Sequence, residues 1–313
     1  MSDLSYLQAV TIGALQGVTE LFPVSSLGHS VLVPAWIGGS WQHLVTENAS
    51  GDSGSSPYLA FIVALHVATA LALLAYFRKD WVAIIRALFT TLRTRKVTTS
   101  TERLAWLLVV GTIPVGITGL ALEHTFRTLF AKPMAAAVFL TINGLILIAG
   151  ERLRRGSEAR AAAPAPQLSA GPGAATEADV RAHGGERRLD TLNYREAGII
   201  GIFQTLALLA GISRSGITMV GGLLRGLDHE DAAKFSFLLA TPVIFAAGLL
   251  KLPSLAGTAG DHIHGQVAVG FVTAGICAYA AVRFLSRWFT TRTLTPFAIY
   301  CLVAGVGSMI WFA

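Results

Sequence analysis

Six apolar runs, at 58–77, 104–122, 134–150, 232–250, 266–282 and 296–313, dominate the hydropathy pattern of this 313-residue chain. Each comes close to the ~20 residues that a helix needs to cross a bilayer core. A soluble chain of this size could bury one such helix, but not six. The pattern therefore predicts an all-α integral membrane protein. Two further apolar segments, about 10–35 and 198–226, are broken by polar residues and glycine, and the first also by Pro23. Each predicts a helix–loop–helix rather than one continuous span.

Composition agrees with a lipid setting. Hydrophobic residues make up 53% of the chain and charged residues only 13%, against roughly 25% charged in soluble domains. The mean hydropathy is +0.59. Met1–Gly13 contains no Lys or Arg, so the basic start of a cleaved secretory signal is missing and the first apolar segment is expected to remain. Cys277 and Cys301 lie inside apolar runs without CxxC spacing; they predict neither a metal site nor a disulfide framework.

The net charge of +6 is informative through its placement. Lys and Arg crowd 78–103, 151–195 and 283–292, while 35–57 contains neither. Basic connections stay in the cytoplasm, so this charge reads as topology and nucleic acid is not needed to explain it. Within the second basic region, 154–190 is rich in Ala, Pro and Gly and poor in large apolar residues, as expected of a disordered linker. The domain reading is a first repeat over 1–150, a cytoplasmic linker over 151–194 and a second repeat over 195–313.

The two halves resemble each other. At a constant offset of 188, Ile12-Gly13 meets Ile200-Gly201, Gln16 meets Gln204, Ser25 meets Ser213, Gly28 meets Gly216 and Ser30 meets Thr218. If 10–35 and 198–226 each enter and leave on one side, the six remaining spans bring all three basic connections to one face. Three crossings per half then require inverted-topology repeats, which put broken helices and a polar site near the midplane. If both segments crossed fully, the repeats would have four crossings each and run parallel. The re-entrant arrangement is preferred, because irregular backbone at that depth is tolerated only when buried in protein or lining a wet cavity.

Chemistry concentrates in the two broken segments. The first carries Gln16, Glu20, Ser25, Ser26, Gly28, His29 and Ser30. Gln16 and Glu20 are four residues apart and share one helix face. A charged side chain at bilayer depth costs ~2.5–3.5 kcal/mol on insertion scales, so such residues are functional candidates by default. The second segment reads Ala210-Gly211-Ile212-Ser213-Arg214-Ser215-Gly216-Ile217-Thr218. Arg214 suits phosphate through its planar fork, and loop amides at a helix start favour an anion.

Plainer readings compete. Ser25, Ser30 and Ser215 could each be helix-packing residues, and Glu20 with Arg214 could form a purely structural ion pair. His66 and Asn143, each alone in a span, read as helix-contact residues. His124, His262 and His264 fall in short connections and are expected to face solvent.

Gln16–Ser30 and Ala210–Thr218 resemble the two signature motifs of the undecaprenyl-pyrophosphate phosphatase family, the bacitracin-resistance type. The first is similar to its (Glu/Gln)-x-x-x-Glu box followed by Pro-Val-Ser-Ser-x-Gly-His, the second to its Pro-Gly-x-Ser-Arg-Ser-Gly box. Gln16 stands where glutamate is commoner, Leu27 where a small or hydroxyl residue is usual, and Ala210 in place of proline. The resemblance covers the chain outside 154–190. It implies a metal-dependent hydrolase in the bacterial cytoplasmic membrane, with a site opening to the extracytoplasmic side. The implied reaction recycles the lipid carrier of cell-wall synthesis. Glu20, His29, Ser26 and Arg214 would be catalytic, and Gln16, Ser25, Gly28, Ser213, Ser215, Gly216 and Thr218 would bind substrate. Glu20 and Gln16 would hold a divalent cation, Mg²⁺ or Ca²⁺. Its partners would be a polyprenyl diphosphate and bilayer lipids, and a homodimer is compatible with it. Either Ser26 or a metal-bound water would attack phosphorus, with His29 as general base or acid. A lipid flippase is the competing reading, since inverted repeats with broken helices also mark transporters. A second kind of membrane lipid phosphatase uses a Lys-x₆-Arg-Pro box, which this chain lacks.

Overall fold

The computed structural model describes residues 4–42, 57–121, 132–162, 188–255 and 263–313, and among these it contains helices and no strand. In chain order the helices are α1 (Tyr6–Thr19), α2 (Ser26–Ile37), α3 (Pro57–Tyr76), α4 (Arg78–Thr94), α5 (Ser100–Ala121) and α6 (Pro133–Ala162). They continue with α7 (Tyr194–Thr205), α8 (Arg214–Leu223), α9 (His229–Leu255), α10 (His264–Trp288) and α11 (Thr295–Phe312). Short 3₁₀ turns occupy Leu189–Thr191 and Leu206–Leu208. Five helices are long and apolar enough to cross a bilayer, and α3 with α4 makes a sixth candidate that is bent by 88°. All six apolar runs of the sequence thus become helices. His124, His262 and most of 154–190 lie outside the described residues, and His264 is exposed at the start of α10.

Both broken segments are helix pairs, and they begin alike. Ser5 accepts from Gln8 N at 3.2 Å, while Gln8 Oε1 accepts from Ser5 N at 2.8 Å. In the second half Asn193 and Glu196 exchange the same two bonds, both at 2.9 Å. These reciprocal capping boxes sit at the sequence offset of 188. The second helix of each pair is capped by a serine: Ser25 Oγ accepts from Gly28 N and Ser213 Oγ from Gly216 N, each at 3.2 Å.

Packing pairs the halves with each other. Helix α1 lies on α10, α7 on α5, α3 on α9 and α6 on α11. Apolar burial drives helix association only weakly inside lipid, so close backbone approach matters more. At α1–α10 a Cβ on Gly13 would stand 2.5 Å from the Gly270 carbonyl oxygen, and Gly201 meets Gly111 in the same way at α7–α5. Any side chain there would force the helices apart.

The structure corrects the expected basic connection at 78–103. Residues 78–94 form α4, whose Val82, Ile85, Phe89 and Leu92 are exposed on one stripe, with Lys79, Arg86 and Arg93 also exposed. An apolar stripe beside basic residues, at a right angle to α3, suits a helix lying in the membrane interface. Likewise α6 continues to Ala162, so the start of the expected linker is helical. The described parts of the three basic regions meet at one end of the bundle. Asp80 of α4 pairs with Lys234 of α9 at 2.8 Å. Glu151 of α6 accepts from His229 at 2.6 Å and from Leu294 N at 2.7 Å, and Leu189 N donates to Asp231 at 2.7 Å.

Candidate active site

The breaks between α1 and α2 and between α7 and α8 face each other. Pro23 and the cap at Ser25, whose φ of +69° lies in the left-handed region, turn the first chain; a non-glycine residue rarely sits there, and such positions cluster at functional sites. Gly211, at φ +115°, turns the second. Ser25 Oγ also accepts from Gly211 N at 3.1 Å, which ties one loop to the other.

Further hydrogen bonds knit the two breaks. Ser213 and Ser215 hydroxyls donate to the Phe22 carbonyl at 3.3 and 3.1 Å. Asn143, fully buried on α6, donates to the Pro23 carbonyl at 3.0 Å and accepts from Ser213 N at 2.9 Å. Thr218 bonds back to the Arg214 carbonyl at 2.7 Å and to Ser236 Oγ at 2.5 Å. Ser30 bonds back to the Leu27 carbonyl. The side chains of Ser25, Ser213, Ser215 and Thr218 are therefore engaged in holding the loops. Gly28 and Gly216 contribute close approach, Gly28 against Gly211 and Gly216 against Pro23 and Leu147.

This scaffold presents one polar cluster centred on Glu20, a carboxylate buried to 7% exposure. Its Oε1 accepts from Arg214 Nη2 at 2.9 Å. Its Oε2 accepts from Gln16 Nε2 at 2.9 Å and from the Ser26 hydroxyl, and His66 Nε2 stands 3.4 Å away. Ser26 is the first residue of α2 and Arg214 the first of α8. Two helix N-termini, with first-turn N–H groups that lack intrahelical partners, thus open on the same carboxylate. Such ends favour an anion. Two buried atoms in the cluster have no partner: Gln16 Oε1, an acceptor, and Arg214 Nη1, a donor.

His29 is buried one turn beyond Ser26, but its hydrogen bonds lead elsewhere. Nδ1 meets the Ser25 carbonyl at 2.7 Å and Nε2 meets the Tyr300 hydroxyl at 2.7 Å. A carbonyl only accepts, so Nδ1 carries a proton; in the neutral ring Tyr300 then donates to Nε2. The rings stack at 5.6 Å. The structure brings Gln16, Ser26 and Arg214 together around Glu20, whereas His29 makes no hydrogen bond to Glu20 or Ser26.

Three residues near the cluster escaped sequence reasoning. His66 was read as a helix contact, yet it faces Glu20. Asn143 was read the same way, and it is a helix contact that also fixes both loops. Tyr300 gave no signal among the aromatic residues of its apolar run. A lone imidazole or amide in such a run announces a polar partner but not which one.

The family model for the bacitracin resistance protein BacA matches residues 9–307. A protein of Frankia alni named undecaprenyl-diphosphatase 2 is 66% identical, covering 100% of this chain and 99% of that protein. An undecaprenyl-diphosphatase of Mycolicibacterium paratuberculosis is 58% identical, again over 100% and 99%. One from Granulibacter bethesdensis is 42% identical over 99% of this chain and 98% of its own. With a match across both broken helix pairs and every long helix described, this chain is a multi-pass membrane protein that belongs to the bacitracin resistance protein BacA family.

Proposed function

We propose that this chain hydrolyses undecaprenyl diphosphate to undecaprenyl phosphate and inorganic phosphate, recycling a lipid carrier for cell-wall synthesis. The observation that carries the reading is the Ser26–Glu20–Arg214 cluster at the mouths of two helix N-termini. Ser26 Oγ attacks the terminal phosphorus, and the bond from that phosphorus to the bridging oxygen breaks. Glu20 Oε2, which already accepts the Ser26 hydrogen bond, takes the proton. Undecaprenyl phosphate leaves, and water then attacks the phosphoserine to release inorganic phosphate and restore the hydroxyl. Arg214 Nη1 and the first-turn N–H groups of α2 and α8 stabilise charge on the transferred phosphoryl group. The proton that Glu20 takes from Ser26 passes to the departing phosphate, and the freed carboxylate then takes a proton from the attacking water and returns one to Ser26 Oγ. His29, whose two ring nitrogens are engaged by Ser25 and Tyr300, holds α2 in place one turn further along.

A divalent cation fits the same cluster. The unpartnered Gln16 Oε1 beside the Glu20 carboxylate offers hard oxygen donors, the type that Mg²⁺ and Ca²⁺ prefer. Glu20 and Gln16 would hold the ion together with phosphate oxygens. When bound, it supplies positive charge against the diphosphate.

The two halves are proposed as inverted repeats in the bacterial cytoplasmic membrane. Support comes from the matched caps, the three long helices that follow each broken pair, and the pairing of α1–α10 with α7–α5. The basic end is assigned to the cytoplasm and the site to the other side. Thr290, exposed at the basic end, tests this. Thr290→Cys should resist a membrane-impermeant thiol reagent in intact cells and react after permeabilisation; labelling in intact cells reverses the orientation.

Catalysis is tested by phosphate release from purified protein in detergent, where no second compartment exists. Release from undecaprenyl diphosphate is expected, with loss under a chelator and recovery on adding Mg²⁺ or Ca²⁺. Chelator-insensitive release removes the cation from the site. Absence of release alongside lipid movement across vesicles would favour the flippase, which the names of the relatives do not.

A further inference from the structure

We propose that a cleft at the basic end of α10 binds the phosphate of an anionic phospholipid from the surrounding bilayer, apart from the catalytic cluster. The cleft has a volume of about 530 Å³ and is lined by Arg283, Arg287 and Arg292 together with Phe284 and Trp288.

Local structure sets the three arginines along one cleft. Arg283 and Arg287 are one turn apart on α10 and share a face. The chain then folds back, with Arg292 N donating to the Trp288 carbonyl at 2.9 Å. This brings the Arg292 guanidinium to 5.9 Å from the Trp288 ring centroid. Trp288 is itself pinned. Its Nε1 donates to the Thr293 carbonyl at 3.3 Å, and its ring rests against Phe284 at 5.6 Å and Phe297 at 5.8 Å. The platform under Arg292 is therefore fixed before any ligand arrives.

The charge is uncompensated. Among the described residues, no ion pair includes Arg283, Arg287 or Arg292. Asp228 and Glu230 line an adjoining cavity of about 310 Å³ that shares Arg292. That acidic edge directs an anion to the Arg283 and Arg287 side. Arg283, Arg287 and Arg292 are each exposed, and all three line the same cleft. Arginine forks around one cleft match a phosphate.

The apolar wall selects a lipid over a free ion. Phe284 is 48% exposed, and Ile276 and Tyr279 continue the exposed apolar surface up α10 at 67% and 40%. An acyl chain can follow that surface while the headgroup stays among the arginines, as in other basic sites at the cytoplasmic side of helical membrane proteins.

The test uses full-length protein in nanodiscs of phosphatidylcholine, with or without phosphatidylglycerol. Phosphatidylglycerol should raise the thermal midpoint, and one or two molecules should survive on the protein in native mass spectrometry. The triple variant Arg283→Gln/Arg287→Gln/Arg292→Gln should retain about tenfold less of it, with phosphate release unchanged. Equal retention by the variant overturns the proposal. So does equal stabilisation by phosphatidylcholine alone, or by inorganic phosphate added to phosphatidylcholine discs, which would mark a free-anion site. Should the triple variant fail to fold, these comparisons on the unmodified protein decide alone.

Discussion

Glu20→Gln should lower turnover by about 10²–10⁴-fold, the range for loss of a general base, while leaving a protein that still inserts. The substitution keeps the shape of the side chain and one carbonyl acceptor for Arg214. It replaces the oxygen that receives the Ser26 proton with an amide that cannot take it, and it turns a donor toward Gln16 Nε2 and Ser26. Breaking a buried ion pair by removing one partner costs ~3–5 kcal/mol. The glutamine should cost less, because its carbonyl still faces Arg214. Thermal stability measured beside steady-state kinetics separates the two effects. Glu20→Asp retains the charge but shortens the reach, so it should recover stability before activity. A folded Glu20→Gln enzyme with near-normal kcat would remove Glu20 from the chemistry.

The long helices were legible because lipid imposes one simple rule: an apolar run of sufficient length must satisfy its backbone internally, and a helix does so alone. The broken pairs were legible for the opposite reason. Pro23 and the glycines of 211–216 sit where an unbroken helix would be needed, next to polar residues that lipid would reject. The proposed repeat rests on aligned Gln, Ser and Gly positions, and capping boxes at Ser5 and Asn193 fall at the same offset.

What the sequence hid depends on contacts between distant segments. Counting charges in 78–103 identified a basic region but passed over Val82, Ile85, Phe89 and Leu92, whose spacing of three, four and three marks an apolar helix stripe. That signal was present and outweighed. His66 is different, since its approach to Glu20 depends on how α3 packs against the broken pair. The serines illustrate a third limit. A Ser-rich loop beside an arginine reads as a phosphate cradle, yet Ser25, Ser213 and Ser215 spend their hydroxyls on Gly211, Phe22 and each other. In lipid an unsatisfied backbone group costs several kcal/mol, so two breaks facing each other recruit their own side chains first. Backbone N–H groups and Arg214 are left to meet the anion.

Arg214→Lys should lose roughly ten- to a hundredfold in kcat/KM with little loss of stability. The guanidinium divides its work: Nη2 holds Glu20 at 2.9 Å, and Nη1 is buried without a partner. A lysine ammonium is a single point charge and can face Glu20 or the phosphate, but it cannot reproduce both directions at once. Losing one charge-assisted hydrogen bond at the transition state costs ~1.5–3 kcal/mol, which is the stated range in rate. Alanine would be a poorer probe, because it leaves Glu20 buried and uncompensated and confounds folding with catalysis. If Arg214 only neutralised Glu20, lysine would largely suffice, and the double variant Glu20→Gln/Arg214→Gln would be stable with no defect beyond that of Glu20→Gln alone. The kinetic form of the loss places the contact in the reaction. Equal falls in kcat and kcat/KM assign it to the transition state, whereas a rise in KM alone assigns it to substrate binding. The unpartnered Nη1 faces no compensating group in the resting protein, so its interaction is made when the phosphoryl group arrives and strengthens as charge moves onto its oxygens. The fall should therefore appear in kcat, and a stable Arg214→Lys enzyme with unaltered kcat and kcat/KM would show that Arg214 makes no contact with phosphate.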